Sequence, residues 1–305
     1  MTSDPLPANL EEELIRLHPR AVDEAPFAAP ALHGDFDFPT ETVEEGIHSF
    51  PPDSTGGPSG LLPAHLKELL KCDRRPALLD ALASFCSAVA NGHFSQGCMK
   101  LLTAARLVPI GKRGGGVRPI AVGDVLRRLA ARCLFQAVLP QATTHLLPTQ
   151  VGIQVSGAAE MVARTCQLWY DRRNCDELLL QVDNRNAFNS VSRAHLLREV
   201  SNHLPSLLPY AWSCYSFPNY LFGPSVHLTS DSGVQQGDVC GPLLFAVALH
   251  RVVTRLEALD LDINYWYLDD GTLCGSPSVL EEVLSLLVAE LSKMGLTLNL
   301  EKCFW

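Results

Sequence analysis

Leu178-Leu179-Leu180-Gln181-Val182-Asp183-Asn184-Arg185-Asn186-Ala187-Phe188 runs an apolar β-segment straight into a carboxylate, and Tyr267-Leu268-Asp269-Asp270 places two more at the turn of a later one. A strand that is otherwise apolar has no structural use for Asp at its buried end unless a cation or a hydrogen-bond donor compensates the charge. A divalent metal is the expected compensation. Side chains alternate along a strand, so Leu179, Gln181 and Asp183 share one face, and Tyr265, Tyr267 and Asp269 share one in the later segment. If those strands are neighbours, Asp183 and Asp269 converge, with Asp270 lying at the turn. Taken singly, an Asp-Asp pair is also ordinary turn chemistry.

Outward from this pair, the pattern from residue 178 reads strand, helix, helix, hairpin, helix, strand. The strand to Asp183 is followed by a helix capped by Ser192. A long apolar helix from Pro242 to about Leu259 precedes a hairpin from Ile263 to Cys274. The next helix, Ser278 to Met294, starts with the capping-box spacing Ser278-Val279-Leu280-Glu281 and stops at Gly295. A last strand, Leu296 to Leu300, is expected to follow.

Upstream, Leu107-Val108-Pro109-Ile110 and Val117-Arg118-Pro119-Ile120-Ala121-Val122 flank Gly111-Lys112-Arg113-Gly114-Gly115-Gly116, a β-hairpin with a basic tip. The phosphate-binding order Gly-x-x-x-x-Gly-Lys-Ser/Thr is missing there. Asp124 caps an amphipathic helix whose stripe is Leu126, Leu129, Ala130, Cys133, Leu134 and Ala137, leaving Arg127, Arg128 and Arg132 outside it, solvated or on a ligand. Leu61 to Leu70 and Pro76 to Ala90 have helical spacing. The first fifty residues carry acidic runs, prolines at 26, 30 and 39 and one short helix from about Thr42 to Ser49, and read as a loosely ordered extension.

The formal net charge of −9 argues against a nucleic-acid binder until its distribution is followed. Residues 1–60 carry two basic and 12 acidic side chains, residues 61–132 carry 12 and four, and residues 133–305 carry ten and 17. A basic middle beside a carboxylate-bearing end suits a protein that grips phosphates with one part and holds cations with another. The ten cysteines are scattered singly, with neither a disulfide framework nor zinc-ligand spacing. No apolar run approaches a membrane span and no secretory signal opens the chain, so an intracellular protein, cytoplasmic or nuclear and without membrane contact, is expected.

With Gln236-Gly237-Asp238 before the long apolar helix and Gly295-Leu296-Thr297-Leu298-Asn299-x-x-Lys302-Cys303 after the last one, these stretches resemble, in order, the reverse transcriptase domain, nearest to the non-LTR (LINE-type) retrotransposon branch, over roughly residues 50–305. Asp183-x-x-x-Ala187-Phe188-Asn189, Gln236-Gly237-Asp238-Val239-Cys240-Gly241-Pro242-Leu243-Leu244-Phe245 and Tyr267-Leu268-Asp269-Asp270 are similar to that family's three palm motifs. Gly295-Leu296-Thr297-Leu298-Asn299-x-x-Lys302-Cys303 resembles a fourth, and Arg118-Pro119-Ile120 with the basic hairpin resembles the fingers motifs. The resemblance implies an α+β, right-hand polymerase fold with fingers at 51–175, a palm at 176–305 whose antiparallel sheet is backed by helices, the acidic extension at 1–50, and no thumb. It implies RNA-directed DNA polymerase activity with two Mg²⁺ ions, or Mn²⁺, on Asp183, Asp269, Asp270 and the Asn184 carbonyl.

By the same resemblance Lys112 and Arg118 clamp the triphosphate of an incoming dNTP, where their competing role is ordinary solubility charge. Phe188 becomes the gate that stacks under the sugar, against a plain buried Phe; Gln236 and Gly237 meet the templating base, against a polar loop before a helix. Lys302 becomes the acid for the leaving pyrophosphate, against a solvated lysine near the chain end. The partners are an RNA template and a DNA primer, with the oligomeric state unread. Departures from the pattern are Gly241 where Ser is usual, Leu268 where a small residue is common, and an end at Trp305 before any thumb. A catalytically inactive retrotransposon-derived fragment and an RNA-dependent RNA polymerase are the rival readings.

Overall fold

The computed structural model describes residues 5–21, 27–28, 32–112 and 115–303. Arg113 and Gly114 of the expected basic tip, the prolines at 26 and 30, and Trp305 lie outside the described residues. In chain order come α1 (Leu10–Leu17), α2 (Thr40–His48), α3 (Pro63–Leu69), α4 (Arg75–Ala90), α5 (Gln96–Leu102), β1 (Ala105–Gly111), β2 (Val117–Gly123), α6 (Val125–Leu146) and α7 (Ala158–Arg172). There follow β3 (Leu178–Val182), α8 (Ala187–Ser190), α9 (Arg193–His203), α10 (Leu208–Tyr215), β4 (Asn219–Phe222), β5 (His227–Ser230), α11 (Gly241–Arg255), β6 (Ile263–Tyr267), β7 (Asp270–Gly275) and α12 (Pro277–Lys293).

Two sheets organise the chain. β3, β7 and β6 form an antiparallel sheet in that order, with β7 central, while β2, β1, β4 and β5 form a second sheet in which only the β1–β4 pair is parallel. The two-residue turn between β6 and β7 forces them to pair with each other, and the apolar β3 then takes the free edge of β7, with Val182 opposite Gly271. The second sheet joins the expected hairpin to β4 and β5, so it crosses the expected boundary near residue 175.

α11 lies at the centre of the main core because its apolar residues run all round it: Leu243, Leu244, Phe245, Ala246, Val247, Ala248 and Leu249 are all buried. It packs against α6, α8, α9 and α12. α12 buries Leu280, Val283, Leu287 and Leu291, one stripe at helical spacing, and each such side chain contributes about 1.5–3 kcal/mol on burial. A second, smaller core lies between α1 and one face of the four-stranded sheet, where Leu14 and Leu17 meet Ala105, Leu107, Val117, Ala121 and Leu221.

Several sequence expectations are corrected here. The first fifty residues are not a loose extension where described: Phe38, Val43, Ile47 and Phe50 belong to the main core, and α2 packs on α4 and α6. Their acidic residues mask apolar ones that find a partner only in three dimensions. The N-cap of α12 is Ser276, whose hydroxyl accepts from Val279 N, so the Ser278 assignment is shifted by Pro277, which suits the first helical turn. The expected strand from Leu296 to Leu300 reduces to one bridge, Asn184 with Leu298, flanked by Arg185 N to Thr297 O and Asn299 N to Asp183 O, both 2.8 Å. The caps at Asp124 and Ser192 are as read, and Gly295 has the positive φ of a helix stop.

A candidate polymerase-type carboxylate site

Asp183 follows the last residue of β3, and the β3–β7 register carries it alongside Asp270, the first residue of β7. The turn itself is Leu268–Asp269, closed by the Tyr267–Asp270 pair. Asp270 therefore does not lie at the turn as expected; Asp269 does, and the alternation that grouped it with Tyr265 and Tyr267 ends at Tyr267. Leu268 takes φ 58°, a left-handed conformation that a branched side chain adopts only when its surroundings insist. Those surroundings are the residues before α7. Gln150, buried at 1% exposure, accepts from Leu268 N at 2.8 Å and donates to Leu268 O at 3.1 Å, while Trp266 N donates to Thr149 O and Val151 N to Trp266 O, each 2.8 Å. Gly152 has no Cβ because one would stand 2.6 Å from Leu268 N.

The other side of the site is equally braced. Asn299 Nδ2 donates to Asp183 Oδ2 at 2.6 Å, and Asn184 Nδ2 donates to the Asp269 carbonyl at 2.9 Å. Asn184 Oδ1 is buried without a hydrogen-bond partner. Burial pushes Asp269 up to about 6, and Asp270 and Asp183 push the same way against its own backbone and Lys112. Asp270 is likewise raised, by desolvation and then by Asp183, with Lys302 opposing. Lys112 is lowered by desolvation and then by Lys302 and Arg118, while Asp183 and Glu13 hold it up. Asp183, Asp269, Asp270, Lys112 and Lys302 thus share one electrostatic field, with Arg118 reaching it through Lys112.

The remaining expected residues surround it. Phe188, half-buried, stacks on Phe245 with ring centroids 4.7 Å apart at 20°, so it packs as core on one side. Gln236 accepts from Ala121 N through its carbonyl at 2.6 Å, and Gly237 has φ 126° with Ala121 O where a Cβ would stand 2.5 Å away. The backbone of that pair is therefore pressed against β2, the strand that carries Arg118.

Sequence reasoning missed the support of that loop. Arg127, set outside the helical stripe and left between solvent and a ligand, is instead fully buried and pairs with Asp238 at 2.8 Å, while Gln235 Oε1 accepts from it at 2.7 Å. Asp238 also accepts from the Tyr210 and Tyr215 hydroxyls and from Cys240 N. That last bond secures the start of α11 despite Gly241. Asn299 and Gln150 were missed too; the only linear hint was the Asn inside the fourth stretch and a Gln two residues before a Gly.

As to what the carboxylates hold, among the described residues no group of three His, Cys, Asp or Glu side chains stands so as to enclose a metal ion. The donor set is nevertheless oxygen-only, its carboxylates repel one another, and one amide oxygen beside them is orphaned, the chemistry that fits a hard divalent cation. Mg²⁺ commonly takes one or two carboxylates and completes its shell with water and substrate phosphates. No helix among the described residues is long and apolar enough to cross a membrane.

The family model for reverse transcriptase (RNA-dependent DNA polymerase) matches residues 110–305. The retrotransposable element SLACS 132 kDa protein of Trypanosoma brucei gambiense is 28% identical over 237 residues, which is 74% of this chain and 20% of that protein. The chain thus spans about a fifth of the length of the curated relative it matches. Among solved structures, apo telomerase from Candida tropicalis, truncated from its C-terminal domain, aligns with TM-score 0.48 at 14% identity over 67% of this chain and 50% of its own. Telomerase from Candida albicans, in complex with a TWJ fragment of telomeric RNA, aligns with TM-score 0.47 at 13% identity over 75% and 46%.

Proposed function

The chain belongs to the reverse transcriptase (RNA-dependent DNA polymerase) family, and from that premise we propose that it adds deoxynucleotides to a primer on an RNA template at the Asp183, Asp269 and Asp270 site. The observation that carries this reading is the β3–β7 register, which sets Asp183 beside Asp270 and the turn that carries Asp269, although they are far apart in sequence. The three-stranded sheet and its helices serve as the palm, and the β1–β2 hairpin as the fingers.

Asp183, Asp269, Asp270 and the Asn184 carbonyl are the groups that would hold two Mg²⁺ or Mn²⁺ ions. Bound there, such ions would lower the pKa of a primer 3′-hydroxyl and neutralise charge on the leaving pyrophosphate. The protein's own part is positional and electrostatic. Asn299 fixes the orientation of the Asp183 carboxylate, and Gln150 fixes the turn that presents Asp269. Lys112, with Arg118 nearby, places positive charge where a triphosphate would lie, and Lys302 stands near Asp270 as the group to protonate pyrophosphate. Phe188, held flat against Phe245, offers its free side to the sugar.

Incorporation of labelled deoxynucleotide on a primed RNA template by the purified chain tests the reading. The wild type should extend the primer and Asp269→Asn should lose at least a hundredfold; equal signal from both would leave a fold without the activity. Replacing Phe188 with Ala should raise ribonucleotide incorporation relative to deoxynucleotide, and unchanged sugar selectivity would remove it as a gate.

A further inference from the structure

The acidic helix α1 carries one of its carboxylates on the face turned toward the protein. Leu10, Glu13, Leu14, Leu17 and His18 fall at helical spacing along that face, and Leu14 and Leu17 are buried against Leu107, Val117, Ala121 and Leu221 of the four-stranded sheet. Glu11 and Glu12 are open to water. Glu13 is not: its side chain is only 18% exposed, in a stripe where an apolar residue is expected. Setting a carboxylate inward is costly unless cations meet it there.

Two cations do. Arg16, one turn on, grips Glu13 with Nε at 2.9 Å and Nη2 at 2.7 Å. Arg16 chiefly, against desolvation, and Lys112 in smaller part hold Glu13 below the usual carboxylate range. Lys112, just past the end of β1, in turn lies in the field of both Asp183 and Glu13.

The C-terminal end of α1 is tied to the carboxylate side of the site. The last carbonyls of a helix have no partner within it, and the Leu17 carbonyl accepts from Asn186 Nδ2 at 2.8 Å, across 169 residues of chain. Asn186 lies in the loop between Asp183 and Phe188, holds φ 48° at the N-cap of α8, and accepts from Asn189 Nδ2 at 3.0 Å through its own Oδ1. Glu13 and Leu17 are about 6 Å apart along the helix. Within one turn, α1 therefore meets both the hairpin that carries Lys112 and the loop that follows Asp183.

A helix of eight residues is marginal in water by itself, and the core that α1 helps to build is separate from the one around α11. What it joins are two sheets that share no strand. The segregated charge of the sequence has a place in this arrangement. The acidic first sixty residues meet the basic middle at Glu44 and Arg75, 2.7 Å apart on the surface, and again at Glu13 and Lys112 beside the carboxylates.

We propose that α1 is a clasp for the incoming triphosphate, which holds Lys112 at one turn and the Asn186 loop at the next and so fixes the gap between that lysine and Asp183. Glu13 and Asn186 are its positioning residues, acting through Lys112 and through the loop after Asp183. The identity of the ligand rests on the polymerase reading.

The split between KM and kcat for dNTP on a primed RNA template tests the clasp. Asn186→Gly keeps the left-handed turn and removes the amide, while Leu14→Ala with Leu17→Ala loosens the helix through its apolar stripe. Each should raise the KM for dNTP about fivefold or more and change kcat far less. Combining them should add nothing beyond the larger effect, because both release the same helix. Leu14→Met with Leu17→Met, which keeps the bulk, should restore the wild-type KM. Glu13→Gln should raise KM at low salt and lose that effect at high salt. Should the leucine pair fail to fold, Asn186→Gly and Glu13→Gln carry the test. A KM that is unchanged, that falls, or that rises in the combined variant by the product of the separate effects overturns the proposal; a fall would mark α1 as a plug, and a product as plain loss of structure. Binding of inorganic tripolyphosphate in Mg²⁺, followed by calorimetry, should weaken in the same variants. Should the wild type extend no primer, the polymerase reading fails while this binding still decides the clasp, which is overturned by equal affinity in wild type and variants or by no binding at all.

Discussion

Asp269 binds a proton more tightly in the folded chain than a free carboxylate does, since burial and then Asp270 and Asp183 oppose its charge and raise it from 3.8 to about 6. Between those values the native state holds more protons than the unfolded one, so stability falls as pH rises through that window and the penalty is complete above it. The full shift corresponds to at most about 3 kcal/mol, less where water reaches the carboxylate. Asp269→Asn should therefore raise the unfolding temperature of the metal-free chain at pH 7, and that advantage should disappear below about pH 4. Thermal unfolding in a chelator across this range measures it. Added Mg²⁺ should stabilise the wild type more than the variant; an equal response would argue against an ion held by Asp269. Which residues bear carboxylate was plain from the sequence, whereas the size of their mutual repulsion depends on a packing that only the fold defines.

At the scale of elements, the β6–β7 turn shows how a local motif is held by a distant segment. Leu268 at φ 58° costs on the order of 1–3 kcal/mol in isolation, and the three hydrogen bonds of Gln150, to Leu268 N, Leu268 O and Gly152 N, offset that strain. Gln150→Ala leaves the Leu268 amide and carbonyl without those partners and should destabilise the chain by about 1–3 kcal/mol in urea unfolding. Incorporation should fall further than the loss of folded protein accounts for. A variant that keeps full activity per folded molecule would show that the turn holds itself. The hairpin was legible from Tyr-Leu-Asp-Asp and its flanking β-formers, and the helix caps at Asp124 and Ser192 from their spacing. The brace was not legible, because nothing near Gln150 distinguishes it from any polar residue after a helix.

The whole molecule depends on a buried polar network that joins the basic middle of the chain to the loop before α11. Arg127 and Asp238 are 111 residues apart and both buried, with the Tyr210 and Tyr215 hydroxyls completing the carboxylate's shell. Removing one member of a buried pair strands the other charge, so Asp238→Leu should cost about 3–5 kcal/mol in chemical denaturation. Adding Arg127→Met should recover part of that loss, since no uncompensated charge then remains. A double variant no better than the single would mean that the tyrosine hydroxyls, not the guanidinium, set the penalty. The network fixes the Gln236–Gly237 backbone against β2, which couples the candidate template-facing loop to the hairpin that carries Lys112 and Arg118.

What the sequence by itself determined is what acts over a few residues: period-two and helical apolar spacing, cap chemistry, the hairpin turns, and carboxylates set at the ends of apolar strands. Those features sufficed for the two hairpins, β3, the helices α2, α3, α4, α6, α9, α11 and α12, and the family resemblance with the α+β class it implies, but not for α10, β4 and β5 or for the expected last strand. Tertiary structure alone decided that β3 pairs with β7 rather than β6, that β4 and β5 extend the β1–β2 hairpin, that the acidic first fifty residues contribute Val43, Ile47 and Phe50 to the core, and that Arg127 turns inward to Asp238. The physical reason is that burial and ion pairing are paid in area and distance between groups remote in the chain, and a short window of sequence contains neither.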